Sequence, residues 1–169
     1  MTVALDFARA GTSAEESALK AQYLVALKMI ERLHRLLIDV IKDEFDRMGR
    51  TDVNSVQALL LFNMGDAELT AGELRSRGHY LGSNVSYNLK KLVDCGYIHH
   101  QRSETDRRSV RVRLTEKGRE ITEIVNLLFE RQMVTIEKVG GVGIPDLKTL
   151  NQTLLRLERF WGDQIRYRL

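Results

Sequence analysis

Four arginines, Arg107, Arg108, Arg111 and Arg113, fall within the stretch SETDRRSVRVRL that runs from Ser103 to Leu114. A guanidinium is always charged and offers a fork of donors that matches phosphate oxygens. The spacing sorts these four into two kinds. From Val110 onward every second residue is apolar (Val110, Val112, Leu114), so Arg111 and Arg113 face the opposite side of a strand. Arg107 and Arg108 belong to the polar tip before it, which is narrow enough to enter a minor groove. Arginine is favoured there because a narrow groove concentrates negative potential. Asp106 is the wrong sign for binding an anion. Its expected job is to orient a neighbouring guanidinium through a charge-assisted pair.

A second set lies upstream, between Ser83 and Asp94. On a helical wheel Val85, Leu89 and Leu92 cluster on one side, and Ser83, Asn84, Tyr87, Lys90 and Lys91 lie opposite. An α-helix fits the major groove of DNA, and the first turns of such a helix reach base edges. Asn84 suits a bidentate bond to adenine. Tyr87 suits a thymine methyl or a phosphate, and Lys90 and Lys91 suit phosphate or guanine. A polar outer face by itself is commonplace; its place in front of an arginine-bearing ribbon is what makes it informative.

The charge distribution points the same way. The chain of 169 residues has a formal net charge of +3. Residues 70–119 contain eleven Lys/Arg against five Asp/Glu, a surplus of six, which leaves the remainder with a deficit of three. A basic block inside an otherwise acidic chain is the electrostatic footprint of a polyanion partner.

The elements that must position these residues can be read in order. Residues 1–12 read as a loose arm ending at Gly11. From about Ala14 to Arg47, Leu19, Tyr23, Ala26, Ile30, Leu33, Leu37 and Val40 recur in steps of four and three, a heptad-like helix closed by Gly49. Part of that stripe must face something beyond its own domain. Asn54 to Gln57 reads as a capping box before the apolar run Ala58-Leu59-Leu60-Leu61-Phe62, with Gly65 as the stop. Thr70 to Glu73 is a second capping box, opening a short helix that ends at Gly78. A turn containing Gly82 leads into the helix from Ser83, which Gly96 ends. Helix, glycine turn and second helix make a helix-turn-helix. Then the period changes from 3.6 to 2, predicting strands over Tyr97–Arg102 and Ser109–Leu114. A hairpin behind a helix-turn-helix is a winged helix. Thr115 caps a helix running to about Lys138, Gly140-Gly141-Val142-Gly143 is a linker, and Pro145 opens a last helix. That helix shows Leu147, Leu150, Leu154, Leu157, Trp161 and Ile165 at steps of three and four.

Asp106-x-Arg108 followed by Leu114-Thr115-x-x-Gly118 resembles the D-x-R…L-T-x-x-G signature of MarR-type winged-helix transcriptional regulators. The similarity is specific from about Asn54 to Arg119; elsewhere only the layout of long helices agrees. The resemblance implies a homodimer held by N- and C-terminal helices, a palindromic site on double-stranded DNA, and often a small-molecule effector. It makes Arg108 the minor-groove residue and Asp106 its partner. Two features depart from the family: the turn His79-Tyr80-Leu81-Gly82 is not the usual apolar one, and the N-terminal helix is long.

The expected fold is therefore mostly α with a small β-hairpin wing. It comprises an arm (1–12), an N-terminal dimerisation helix (13–49), a winged helix-turn-helix DNA-binding domain (50–115; recognition helix 83–94, wing 97–114) and C-terminal dimerisation helices (116–169). Two recognition helices about 34 Å apart would enter successive major grooves. An effector wedged beside Leu59 and Phe62 could change that spacing, although a plain hydrophobic core explains both residues equally well.

Other functions fit less well. A protein-interaction module would show an apolar outer face on the helix from Ser83, and Tyr87 is the only large ring there. Cys95, the single cysteine, excludes an internal disulfide. It offers a thiol redox sensor as an alternative, but its place near a helix C-terminus beside Asp94 disfavours the thiolate, so a buried structural thiol is the expectation. His99 and His100 point to opposite strand faces and make a poor metal site. The glycines at 140–143 lack the lysine of a phosphate loop. No nucleophile elbow, zinc helix or nucleotide loop is present, so no enzyme, cofactor or metal is expected. No apolar run spans a bilayer and no signal peptide is evident, which leads to the expectation of a cytoplasmic location.

Overall fold

A computed structural model describes residues 2–70, 73, 82–102 and 110–167, with the backbone alone for 2–12, 82–86, 102 and 110. Helix α1 (Thr2–Arg47) is followed by α2 (Ser55–Met64), β1 (Leu69–Thr70), α3 (Gly82–Asp94), β2 (Ile98–Arg102), β3 (Val110–Leu114), α4 (Glu116–Ile136) and α5 (Ile144–Tyr167). The chain divides into two units, residues 1–122 and 123–169.

Where a loose arm was expected over 1–12, residues 2–12 are instead helical: α1 begins at Thr2. Ala4, Leu5, Ala8, Arg9 and Ala10 are good helix formers, and one interior glycine costs only about 1 kcal/mol. That is too little to stop a helix already propagating from the turns beside it. The other end is sharply defined. Gly49 takes φ 65°, its N–H bonds to the Asp46 carbonyl at 3.1 Å, and the Arg50 N–H bonds to the Phe45 carbonyl at 2.9 Å. This paired closure satisfies carbonyls that the helix end would otherwise leave open.

Helix α2 starts with the expected box. The Gln57 N–H donates to Asn54 Oδ1 at 2.9 Å and the Asn54 N–H to Gln57 Oε1 at 3.2 Å. Ala58, Leu59, Leu60, Leu61 and Met64 are all buried. Ile41 and Phe45 at the end of α1 join them, because α1 packs on α2. The core of the first unit is completed by Val53, Leu69, Leu89, Leu92, Tyr97, Ile98, Val112, Leu114 and Ile121.

The sheet has three strands, in the order β1-β3-β2, where the alternation had predicted two. β1 pairs Leu69 with Val112 and Thr70 with Arg111; β2 pairs Ile98 with Leu114 and His99 with Arg113. Two residues carry no legible period, so β1 cannot be recognised along the chain. It is created by the free edge of β3.

In the second unit α5 follows a break in which Gly141 has φ 66°. Among its described residues none is buried. The long stripes are open. On α1, Leu19 is 72% exposed, Leu33, Leu37 and Val40 are exposed too, and Tyr23, Ala26 and Ile30 are half-buried. On α5, Leu150, Leu154 and Ile165 are exposed, Ile165 to 82%. No helix among the described residues is long and apolar enough to cross a membrane.

Candidate nucleic-acid interface

The face of α3 that carries the expected contacts is presented outward by burial of the opposite one. Leu89 and Leu92 are buried, whereas Tyr87 is 68% exposed and Lys90 and Lys91 are exposed. A tyrosine ring left this open contributes nothing to its own core. Helix α3 is also tied to α2 by a polar bond, in which Gln57 Nε2 donates to Asn88 Oδ1 at 3.3 Å. Gln57 is itself buried, so its amide serves the α2 cap at one end and holds α3 at the other. Ser83 and Asn84 lie on the first turn of α3; their side chains are outside the described residues.

On β3, Val112 and Leu114 are buried and Arg111 and Arg113 exposed, as the alternation requires. The register sets Gln101 opposite Arg111 and His99 opposite Arg113. Residues directly opposite share a face, so these four polar groups form the outer surface of the wing. Arg111 also stands 3.9 Å from Glu68, a loose, solvent-screened pair that leaves the guanidinium accessible. Arg107, Arg108 and Asp106 at the wing tip lie outside the described residues.

Between α3 and the wing run only Cys95, Gly96 and Tyr97. Gly96 has φ 77° and closes α3 with the same paired bonds as Gly49: Gly96 N–H to the Val93 carbonyl at 2.9 Å and Tyr97 N–H to the Leu92 carbonyl at 2.8 Å. A residue with a Cβ is strained at that φ. The L-T-x-x-G run meets this hinge from the far side. Leu114 fills the core. Thr115 Oγ1 accepts the Gly118 N–H at 3.1 Å as helix cap and donates to the Gly96 carbonyl at 2.7 Å. Gly118 lets α4 touch the chain at Tyr97, because a Cβ there would lie 2.3 Å from the Tyr97 carbonyl oxygen. Every fixed letter of that motif is thus a packing or capping device.

The Tyr97 side chain is buried and anchors the hinge to the α1–α2 loop. Its hydroxyl donates to Asp52 Oδ2, and Arg50 grips the same carboxylate through Nε at 3.1 Å and Nη2 at 3.3 Å. The Arg50 bonds, then the Tyr97 bond, pull the Asp52 carboxyl down to about 2. Burial first, and then the Asp52 bond, push the Tyr97 phenol up to about 12.

Several expectations need revision. Cys95 is exposed rather than buried, because it occupies the helix-terminal position between the buried Leu92 and Tyr97, and a side chain there projects away from the core. Leu59 is buried with its neighbours in α2 and Phe62 is half-buried, so each has a packing role whatever else it does. No motif or period in the sequence marks Asn88, Asp52 or Lys117, which bond Gln57, Tyr97 and the Cys95 carbonyl respectively. Lys117 was counted only as charge, yet its Nζ stands 4.2 Å from the centre of the Tyr97 ring. Among the described residues, no cluster of His, Cys, Asp and Glu could hold a metal ion.

The MarR family profile matches residues 51–109. An exopolysaccharide II synthesis transcriptional activator, ExpG of Rhizobium meliloti (strain 1021), is 39% identical over 148 residues, covering 86% of this chain and 74% of that one. The chain belongs to the MarR family. Its fold agrees with solved members. The transcriptional regulator SlyA superposes with a TM-score of 0.70 at 18% identity, over 85% of this chain and 99% of that one. FabT of Streptococcus pneumoniae, solved in complex with DNA, gives 0.59 at 24% identity, over 83% and 98%. The fold is therefore the winged helix of the MarR family, with β1 as the third strand of the small antiparallel sheet.

Proposed function

We propose that this MarR-family chain is a sequence-specific transcriptional regulator that binds double-stranded DNA as a homodimer on a palindromic operator. The observation that carries this reading is the pairing of two outward polar surfaces on one basic module: Tyr87, Lys90 and Lys91 on α3, and Arg111 and Arg113 on β3. FabT, with the same fold, was solved on DNA. Ser83, Asn84 and Tyr87 would read base edges in the major groove while Lys90 and Lys91 take phosphates. Arg107 and Arg108, oriented by Asp106, would enter the minor groove, and Arg111 would support them from the wing face.

The open stripes of α1 and α5 supply the reason to dimerise. Large apolar side chains stand in solvent on each helix, Leu19 and Leu33 on α1 and Leu150 and Ile165 on α5, and an exposed apolar stripe along a helix is a candidate interface. Dimerisation would set two α3 helices about 34 Å apart, one turn of DNA. A small-molecule effector near Leu59 and Phe62 would regulate binding if it favours one spacing over another. The regulator would work in the cytoplasm, beside its DNA.

Selection of bound duplexes from a random pool tests partner and symmetry together. A recovered palindrome is the expected result. Arg108→Ala should then weaken binding to it by roughly 10- to 100-fold. Recovery of no preferred sequence, or unchanged affinity after Arg108→Ala, overturns the reading or its wing assignment respectively.

A further inference from the structure

Two surfaces that must enter neighbouring grooves at once are joined by three residues, and a loose joint there would dissipate binding energy in re-ordering. The backbone of that joint is gripped at every carbonyl. Lys117 Nζ donates to the Cys95 carbonyl at 3.1 Å, Thr115 Oγ1 to the Gly96 carbonyl at 2.7 Å, and the Thr115 N–H to the Tyr97 carbonyl at 3.0 Å. All three donors belong to the start of α4, on the far side of the wing in sequence. The side chain of the joint is gripped as well, by Asp52 on the phenol and by the Lys117 ammonium over the ring. Asp52 is itself locked by Arg50 directly behind the Gly49 turn that ends α1. The joint is therefore tied at one end to the root of the wing and at the other to the end of α1.

We propose that Thr115, Lys117, Tyr97 and Asp52 are positioning residues for DNA recognition: they clamp the Cys95–Tyr97 hinge so that α3 and the wing act as one rigid reading head, indexed to the end of α1. This rests on the DNA-binding reading above. None of the four need touch DNA. Their effect is on how well the side chains that do so reach both grooves together. Clamping raises affinity for the correct duplex, where both surfaces must fit. It leaves loose, purely electrostatic attachment to any duplex unchanged, because that attachment tolerates many orientations.

The test uses the full chain and two duplexes of equal length and composition, the one recovered by selection and a scrambled one. Tyr97→Phe deletes the hydroxyl and keeps the ring, Thr115→Val deletes the hydroxyl and keeps the shape, and Thr115→Ser restores the hydroxyl. Affinities are measured well below the melting temperature of each variant, with circular dichroism confirming that each is folded. Tyr97→Phe and Thr115→Val should each reduce the ratio of selected to scrambled affinity by roughly 10-fold, with scrambled affinity nearly unchanged. Thr115→Ser should stay close to wild type. Amide exchange at Tyr97 and Thr115 should quicken in the first two variants and not in the third. A role confined to stability lowers the melting temperature but leaves the affinity ratio of the folded protein intact, and that result overturns the proposal. A wild-type chain that binds the selected and scrambled duplexes equally removes the sequence-specific reading on which the proposal rests, which is a separate outcome.

Discussion

Replacing Gly118 with alanine sets two effects of opposite sign against each other. Alanine is the better helix former, by up to about 1 kcal/mol. Against that, its methyl group would lie 2.3 Å from the Tyr97 carbonyl oxygen and 3.3 Å from Leu114 Cδ2. Relief requires roughly 1.1 Å of movement to restore an ordinary van der Waals contact. The obstacle is backbone, and it cannot swing aside freely, because the Tyr97 carbonyl accepts the Thr115 N–H and the adjacent Gly96 carbonyl accepts the Thr115 hydroxyl. Overpacking of this kind costs about 1–3 kcal/mol. A hydrogen bond broken to make room adds about 1 kcal/mol. The clash wins, and the net expectation is a loss of about 2 kcal/mol, or roughly 5 °C in melting temperature for a chain of this size. Gly162 on α5 is the internal control: nothing lies within 4 Å of the Cβ it would gain, so Gly162→Ala should stabilise by up to about 1 kcal/mol. Urea denaturation followed by circular dichroism, at one fixed protein concentration because association also stabilises, reads both variants. If Gly118→Ala is as stable as wild type or more so, the close approach of α4 to the hinge is wrong.

Loss of one phosphate contact lowers the slope of log affinity against log salt by about 0.9, so on the proposed reading, in which Lys90 and Lys91 take phosphates, Lys90→Ala and Lys91→Ala should each do so, read by titrating duplex across a salt series. The Asp52 carboxyl is held at about 2 against an ordinary 3.8, so its share of stability is complete above pH 3.8 and disappears as the pH falls through 2. Because its side chain is 42% exposed, solvent screening keeps that share to about 1 kcal/mol or less, and Asp52→Asn should flatten the acid limb of the stability profile. The Tyr97 phenol, raised to about 12, keeps its proton between pH 10 and 12 while the unfolded chain loses it; stability should therefore fall with rising pH across that window, and Tyr97→Phe should abolish this component. Leu33→Glu combined with Leu150→Glu should yield a monomer by sedimentation, and an unchanged dimer would place the self-association surface elsewhere.

Where the sequence was legible, the physics was local. A cap is a side chain bonding a backbone group three residues away, so the boxes Asn54–Gln57 and Thr70–Glu73 and the cap Thr115 could be recognised locally, and their bonds are formed, that of Thr115 to the Gly118 N–H. The glycine stops at 49, 65 and 96 were legible because only glycine takes a positive φ without strain. The change from a 3.6 to a 2 period located α3 and β3 and the outward direction of Lys90, Lys91, Arg111 and Arg113, since side-chain direction along a regular element follows from its repeat.

What lay beyond reach depended on groups far apart in the chain or on surroundings. Asp52 and Tyr97 are separated by 45 residues and Gln57 and Asn88 by 31; no periodicity links them, and only the packing of α1, α2 and α3 brings them within bonding distance. β1 exists because β3 has an edge to fill, and Cys95 is exposed because the chain turns there. The sequence determined by itself the ends that caps and glycines mark and the outward faces of the basic module, but neither β1 nor the start of α1. The tertiary structure decided which distant donors clamp the joint between those faces, because a hydrogen bond acts over about 3 Å of space regardless of how much chain separates its ends.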